Sequence, residues 1–121
     1  MSEAEWRIMK VLWKKSPQTA KQVIDQLKGS VEWNPKTIKT LLNRLVNKEV
    51  LDFTKKGRIY EYHPLYSEEE CRQNERNSFL KRVYNGALKP MMVAFLEENE
   101  LSSKDIEELK NILDKESKGE A

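Results

Sequence analysis

The stretch from Trp33 to Asn47 carries the side chains with the clearest chemistry in this sequence, because it holds lysines, threonines, asparagines and an arginine but no acid. Cationic side chains bind phosphates, and arginine, asparagine and threonine also bond to the exposed edges of DNA bases. Wound at about 3.6 residues per turn, the stretch places these polar residues opposite one apolar stripe. That stripe consists of Ile38, Leu41, Leu42, Leu45 and Val46. The pattern predicts a helix whose outer face contacts DNA.

The polar face of this helix, together with a basic segment that follows it, supplies the candidate binding residues. The candidates for contacts to base edges in a groove are Lys36, Thr37, Thr40, Asn43 and Arg44. The residues expected mainly to bind phosphates are Asn34, Lys39, Asn47, Lys55, Lys56 and Arg58. A solvated helix face and a solubilising turn are the alternative interpretations of these two groups.

The composition excludes several other kinds of site. One cysteine, Cys71, and one histidine, His63, exclude an internal disulfide and a Cys/His metal cluster within one chain. The glutamates combine with no nucleophile or set of metal ligands, so we predict no catalytic residue, metal, cofactor or enzymatic activity. The first residues are acidic where a signal peptide would be basic, and the longest apolar run spans only residues 91–96. We therefore expect no secretion and no membrane insertion, and a cytoplasmic protein.

The charge of the chain is divided unevenly along its length. Residues 1–66 hold 13 Lys and Arg against 7 Asp and Glu, whereas residues 67–121 hold 9 against 13. A basic front part and an acidic back part indicate that only the front part meets a polyanion.

The front part reads as three helices followed by a hairpin. Capping boxes predict a first helix from about Glu3 to Lys15 and a short second helix that ends before Gly29, and Asn34 and Pro35 begin the third. Alternating residues then flank a basic turn formed by residues 55–58, which predicts a β-hairpin. This order is typical of a winged helix-turn-helix domain, which we assign to residues 1–66.

The back part, residues 67–121, reads as three further helices. The first of them begins after Ser67 and is polar as far as Ser78 except for Cys71, so we interpret it as a spacer and Cys71 as an exposed or interfacial filler. Asn85-Gly86 should end that helix, and residues 115–121 should fray. The fold class is therefore mainly α, a winged helix-turn-helix domain followed by an all-α domain.

These three helices hold too little apolar surface for an independent core, because small domains gain only a few kcal/mol from burial. Two copies that pack their apolar faces together would remove this deficit, so we predict a homodimer. The predicted dimer contacts are Phe79, Leu80, Val83, Leu88, Met91, Met92, Phe95, Leu96, Ile106, Leu109, Ile112 and Leu113.

The sequence resembles a known family, the bacterial penicillinase and methicillin-resistance repressors with their copper-responsive branch (BlaI/MecI/CopY). The resemblance runs over nearly the whole chain, and Trp33-Asn34-Pro35-Lys36-Thr37-Ile38 is its most specific segment. The other matching segments are Ala4-Glu5-Trp6 with Met9 and Trp13, Leu41 with Arg44-Leu45, Phe79-Leu80 with Tyr84-Asn85-Gly86, and Asp105-Ile106-Glu107-Glu108-Leu109 with Ile112-Leu113. The resemblance implies a dimeric winged-helix repressor that binds a palindromic double-stranded operator and blocks transcription until it is induced.

The resemblance also implies how such a repressor is released. In the antibiotic-resistance members, a membrane sensor protease triggers a cut at an Asn-Phe bond in the fifth helix, and the matching pair here is Ala94-Phe95. A trigger other than proteolysis that disrupts the same helix is the alternative. The copper-responsive members carry a C-terminal cysteine cluster, and with Cys71 alone this chain lacks that route to metal sensing.

A different class of function stays open at this point. The winged-helix face could bind a protein, with the acidic back part as an assembly platform and without specific DNA binding. Retention on DNA would separate the two hypotheses, because a module that binds only proteins should not be retained.

Overall fold

A computed structural model of the chain describes residues 1–119, which form six α-helices and one small antiparallel sheet. The elements in chain order are α1 (Glu3–Lys14), β1 (Gln18–Thr19), α2 (Ala20–Leu27), α3 (Pro35–Asn47), β2 (Leu51–Lys56), β3 (Ile59–Pro64), α4 (Glu68–Tyr84), α5 (Leu88–Glu98) and α6 (Ser103–Gly119). The chain divides into two compact units, the first spanning Met1–Asn74 and the second beginning at Glu75. This division falls inside α4, and the predicted division of roles at residues 66 and 67 stays a prediction.

The first unit is a winged helix-turn-helix fold, as the sequence predicts. Its core joins the inner faces of α1, α2 and α3 to the start of the hairpin. The buried hydrophobic residues of this core are Ile8, Met9, Leu12, Val23, Leu27, Ile38, Leu41, Leu42, Leu45, Leu51 and Tyr62. The apolar stripe predicted for α3 is therefore its inner face, with Val46 partly buried beside it.

Side-chain caps fix where α1 and α2 begin. The Glu5 N–H donates to Ser2 Oγ at 3.2 Å, and the Gln22 N–H donates to Thr19 Oγ1 at the same distance. Both are complete capping boxes, because the N3 side chain accepts the N-cap N–H in return. Helix α1 ends at Lys14, one residue earlier than predicted, and its C-cap Lys15 is extended.

The sheet has the order β1-β3-β2, with both pairs antiparallel. The prediction that Lys55 and Lys56 lie in the turn is wrong, because both residues pair with β3 at the end of β2. Strand β1 is not predictable from the sequence pattern, because two residues are too few to show alternation. Gln18 in β1 is buried and donates to the Val11 carbonyl at 3.1 Å and to the Lys15 carbonyl, which satisfies carbonyls at the end of α1.

Helix α4 begins after the predicted cap Ser67. The burial of one of its side chains, Cys71, differs from the prediction. The Glu70 N–H donates to Ser67 Oγ at 3.1 Å, which confirms the cap before α4. Cys71 is only 8% exposed, so the exposed alternative for this residue is wrong, and the interfacial alternative stays a prediction. One apolar side chain in an otherwise polar turn is enough to give the helix a buried contact. The helix ends at Tyr84, followed by Asn85 and Gly86 in left-handed conformations with φ of 52° and 83°.

The second unit contains the rest of α4 together with α5 and α6. Helix α6 continues to Gly119, and residues 120 and 121 lie outside the described part of the chain. The expected fraying of residues 115–121 stays a prediction. Within residues 1–119, no helix has both the length and the apolar character needed to span a membrane.

Candidate nucleic-acid interface

The N-terminal end of α3 is held in a defined conformation by its cap. Asn34 is extended, and its side-chain oxygen accepts the Thr37 N–H at 2.8 Å and the Thr37 hydroxyl at 3.1 Å. Pro35 occupies the first helical turn, where a missing N–H costs nothing and a fixed φ favours the helix. The first turn of α3 is therefore ordered before any ligand binds.

The outer face of α3 is exposed along its whole length. The exposed polar residues are Asn34, Lys36, Thr37, Lys39, Thr40, Asn43, Arg44 and Asn47, which is the complete set that the sequence predicts on this helix. Among residues 1–119, none of the three cations Lys36, Lys39 and Arg44 is in an ion pair. Their charges are not compensated within the fold, which leaves them free to bind an anionic ligand.

The two threonines on this face use their hydroxyl hydrogens inside the helix. The Thr40 hydroxyl donates to the Lys36 carbonyl at 3.0 Å, and the Thr37 hydroxyl donates to Asn34. A hydroxyl has one hydrogen and two acceptor lone pairs, so in this state each threonine offers a ligand an acceptor oxygen and a methyl group. Both groups match features of base edges in the major groove, such as amino groups and the thymine methyl.

The inner side of α3 is tied to α1 by a buried charge that the sequence analysis did not find. Glu5 is 2% exposed, and the Lys48 Nζ at the C-cap of α3 lies 2.9 Å from its Oε1 and 2.8 Å from its Oε2. Burial acts to raise the pKa of Glu5, but the bonds from Lys48 and Ser2 outweigh it and lower that pKa to about 2. The capping box signals only the local role of Glu5, because its ion pair joins residues far apart in sequence.

The tip of the hairpin, residues 55–58, holds the other predicted phosphate-binding residues. Lys55 Nζ lies 5.8 Å from the centre of the Tyr60 ring, a cation–π arrangement that leaves its charge uncompensated. Lys56 Nζ lies 3.1 Å from a carboxylate oxygen of Glu61. Arg58 is exposed and forms no ion pair with any residue in the range 1–119. Lys55 and Arg58 therefore keep a charge that can bind an anionic ligand, whereas the charge of Lys56 is paired with Glu61.

The second unit exposes much of the apolar surface predicted to form dimer contacts. Large side chains of that set are solvent-exposed: Phe79, Val83, Leu88, Phe95, Leu96, Ile106, Ile112 and Leu113. The remaining members, Leu80, Met91, Met92 and Leu109, are partly buried. Exposed apolar surface on this scale commonly marks an interaction site.

The described part of the chain shows no grouping of three or more His, Cys, Asp or Glu side chains that could hold a metal ion.

Comparison with known proteins identifies the family. The family model described as penicillinase repressor matches residues 1–115. The chain belongs to the penicillinase repressor family. The match covers both units, which agrees with a resemblance carried by segments from both parts of the sequence.

Individual members of the penicillinase repressor family are similar over most of their length. The penicillinase repressor of Bacillus licheniformis is 42% identical over 114 residues, which cover 94% of this chain and 89% of that protein. The methicillin resistance regulatory protein MecI of Staphylococcus aureus (strain N315) is 36% identical over 115 residues, 95% of this chain and 94% of that protein.

Two solved structures share the winged-helix fold. The DNA binding domain of the repressor BlaI is 41% identical, covers 58% of this chain and 85% of its own, and has a TM-score of 0.53. The Bacillus licheniformis BlaI monomeric form in complex with the blaP half-operator has the same identity and coverage, with a TM-score of 0.51.

Proposed function

We propose that this member of the penicillinase repressor family is a sequence-specific DNA-binding protein that represses transcription. The observation that carries the proposal is the outer face of α3, which is exposed, free of acids and lined by cations without ion-pair partners. Such a face binds phosphates through its cations and reads bases through its arginine, amides and hydroxyls. The protein would act in the cytoplasm, by binding and without catalysing a reaction.

The proposed roles follow the position of each residue. The outer face of α3 would enter the major groove and read bases through Lys36, Thr37, Thr40, Asn43 and Arg44. The phosphate contacts would come from the helix flanks and the wing through Asn34, Lys39, Asn47, Lys55, Lys56 and Arg58. The half-operator bound by the relative BlaI supports this assignment of the winged helix to DNA.

Titration of labelled duplexes with the protein tests the proposal. We expect tight binding to an operator recovered from a random pool, and binding weaker by about a thousandfold or more to a scrambled duplex of the same length. Equal affinity for both duplexes would overturn sequence-specific repression.

A protein-interaction module with the same fold is the second candidate, and the exposed apolar side chains of the second unit favour it as a contributing role. Passage over DNA-cellulose separates the two candidates. A DNA-binding protein should be retained at low salt and released at moderate salt, because counterion release makes its affinity salt-dependent. A module without DNA binding should flow through.

We also propose that the protein is a homodimer, assembled through the exposed apolar surface of α4, α5 and α6. A monomer would leave Phe95, Ile112 and Leu113 about half exposed to water, at 49%, 58% and 57%. Burying apolar surface stabilises association by roughly 25 cal/mol per Å². A dimer would present two copies of α3 to a two-fold symmetric operator.

We further propose that release from DNA follows disruption of α5, with Ala94-Phe95 as the bond to be cut. The bond lies inside the helix Leu88–Glu98, where the Phe95 carbonyl accepts the Asn99 N–H at 3.1 Å. A protease that binds extended peptides must first unwind this turn, so cleavage would be slow in the intact dimer. Incubation with a membrane sensor protease from a resistance operon should yield fragments that end at Ala94, and an intact chain would point to another trigger.

A further inference from the structure

One cation of the wing is held by an acid of its own hairpin. Lys56 Nζ lies 3.1 Å from Glu61 Oε1, with side-chain exposures of 69% for the lysine and 23% for the glutamate. Glu61 pairs directly with Thr54 in the register of β2 and β3, so Lys56 reaches it diagonally, two residues along the strand. The carboxylate is partly shielded by the sheet, whereas the lysine head is largely in water.

From this contact we propose that Glu61 lowers the contribution of the wing to DNA affinity by pairing with Lys56. By holding Lys56, it takes this lysine out of the phosphate contacts proposed above for the wing and leaves Lys55 and Arg58 to make them. The inference rests on the proposed DNA-binding function and refines it, because it separates Lys56 from the other wing cations in the same segment.

The physical reason is a competition between two anions for one ammonium group. An exposed ion pair contributes little to stability, so a phosphate can replace Glu61 as the partner of Lys56 at modest cost. The glutamate carboxylate would then stay beside a phosphate of the same charge, within the distance over which charges interact at ordinary ionic strength. This repulsion keeps Lys56 paired with Glu61 in the unmodified chain, so the lysine releases no counterion from DNA.

The two other wing cations lack this restraint. Lys55 contacts the face of the neutral Tyr60 ring, and Arg58 has no ion-pair partner among residues 1–119. The acid Asp52 provides a matched comparison on the same hairpin, because its carboxylate accepts the N–H of Phe53 at 2.8 Å and forms no ion pair with a lysine in the range 1–119.

The experiment measures DNA affinity of the full chain as a function of salt for the unmodified protein and for Glu61→Gln, Lys56→Ala, the double variant and Asp52→Asn. We expect Glu61→Gln to bind about three- to tenfold more tightly near 0.1 M salt, with a log-log salt slope steeper by about one. The gain should be equal on operator and scrambled duplexes, because phosphate contacts carry no sequence information. Asp52→Asn should give a clearly smaller gain and an unchanged slope.

The double variant decides whether Lys56 transmits the effect. Adding Lys56→Ala to Glu61→Gln should return the salt slope to that of the unmodified chain, whereas Lys56→Ala alone should barely change it. The inference is overturned if Glu61→Gln changes neither affinity nor slope, if its gain persists without Lys56, or if Asp52→Asn reproduces it. In those cases salt-dependent binding by the unmodified chain would leave the proposed function intact, whereas no DNA binding at all would overturn both.

Discussion

Arg44 is the residue of α3 whose chemistry best suits base recognition, since guanidinium binds guanine with two parallel hydrogen bonds. It is exposed and has no ion-pair partner within residues 1–119. We expect Arg44→Ala to cost about 1–3 kcal/mol on the operator and to relax preference at one base position. Competition titrations against operators altered one base pair at a time would measure both effects.

Lys39→Ala is the matched control on the same helix face. Because Lys39 is expected to bind phosphate, its loss should weaken all duplexes alike and reduce the salt slope by about one. If both variants weakened every duplex equally, the separation of base readers from phosphate binders would be wrong.

Residue types and spacing were enough to predict which side chains of α3 are exposed, because the helical period alone assigns each residue to a face. The same reasoning could not find the partners of Lys48 and Lys56. Lys48 pairs with Glu5, 43 residues away, and the pairing of Lys56 with Glu61 depends on hairpin register. Long-range partners and strand register are properties of the folded chain that local patterns do not contain.

At the scale of elements, the Glu5–Lys48 pair joins the first turn of α1 to the C-terminal end of α3. The pKa of Glu5 falls from 4.5 to about 2 on folding, so between these pH values the unfolded chain binds more protons than the folded one. Stability from this group is therefore fully present above about pH 4.5 and is lost as the pH falls toward 2. We expect the loss to be about 3 kcal/mol.

Denaturant unfolding at several pH values, compared between the unmodified chain and Glu5→Gln, measures this contribution. The free energy of unfolding of the variant should fall less between neutral pH and pH 3 than that of the unmodified chain. The reason is that pH 3 lies between the unfolded and folded pKa values of Glu5. Glu3→Gln, which removes an exposed carboxylate from the same turn, should behave as the unmodified chain does. Identical pH profiles for all three proteins would contradict the assigned role of Glu5.

The elements themselves were largely predictable because their ends carry strong local signals. Ser2, Thr19, Asn34 and Ser67 all cap helices in the structure as the sequence predicts. Strand β1 was missed because its two residues are in a sheet only through pairing with β3. The predicted turn begins too early, because the basic residues Lys55 and Lys56 at the end of β2 have the composition of a loop.

In the proposed dimer each unit of the chain has its own role. The second unit would join two chains, and the first unit of each chain would bind one half of the operator. We expect Ile112→Glu to shift the protein from dimer to monomer, because it places a charge on an apolar surface that the dimer would bury. Lys110→Glu changes charge at an exposed polar position of the same helix and should leave the dimer intact. Sedimentation at micromolar concentration distinguishes these states, and an unmodified chain that sediments as a monomer would contradict the dimer.

Selection of bound duplexes from a random pool tests whether the outer face of α3 binds DNA in a sequence-specific manner. We expect enrichment of a palindrome with half-sites about 10 bp apart, or a multiple of this spacing. We also expect the Arg44→Ala variant to enrich a site with one relaxed position in each half. A pool that shows no enriched sequence after repeated selection with the unmodified chain would contradict the claim.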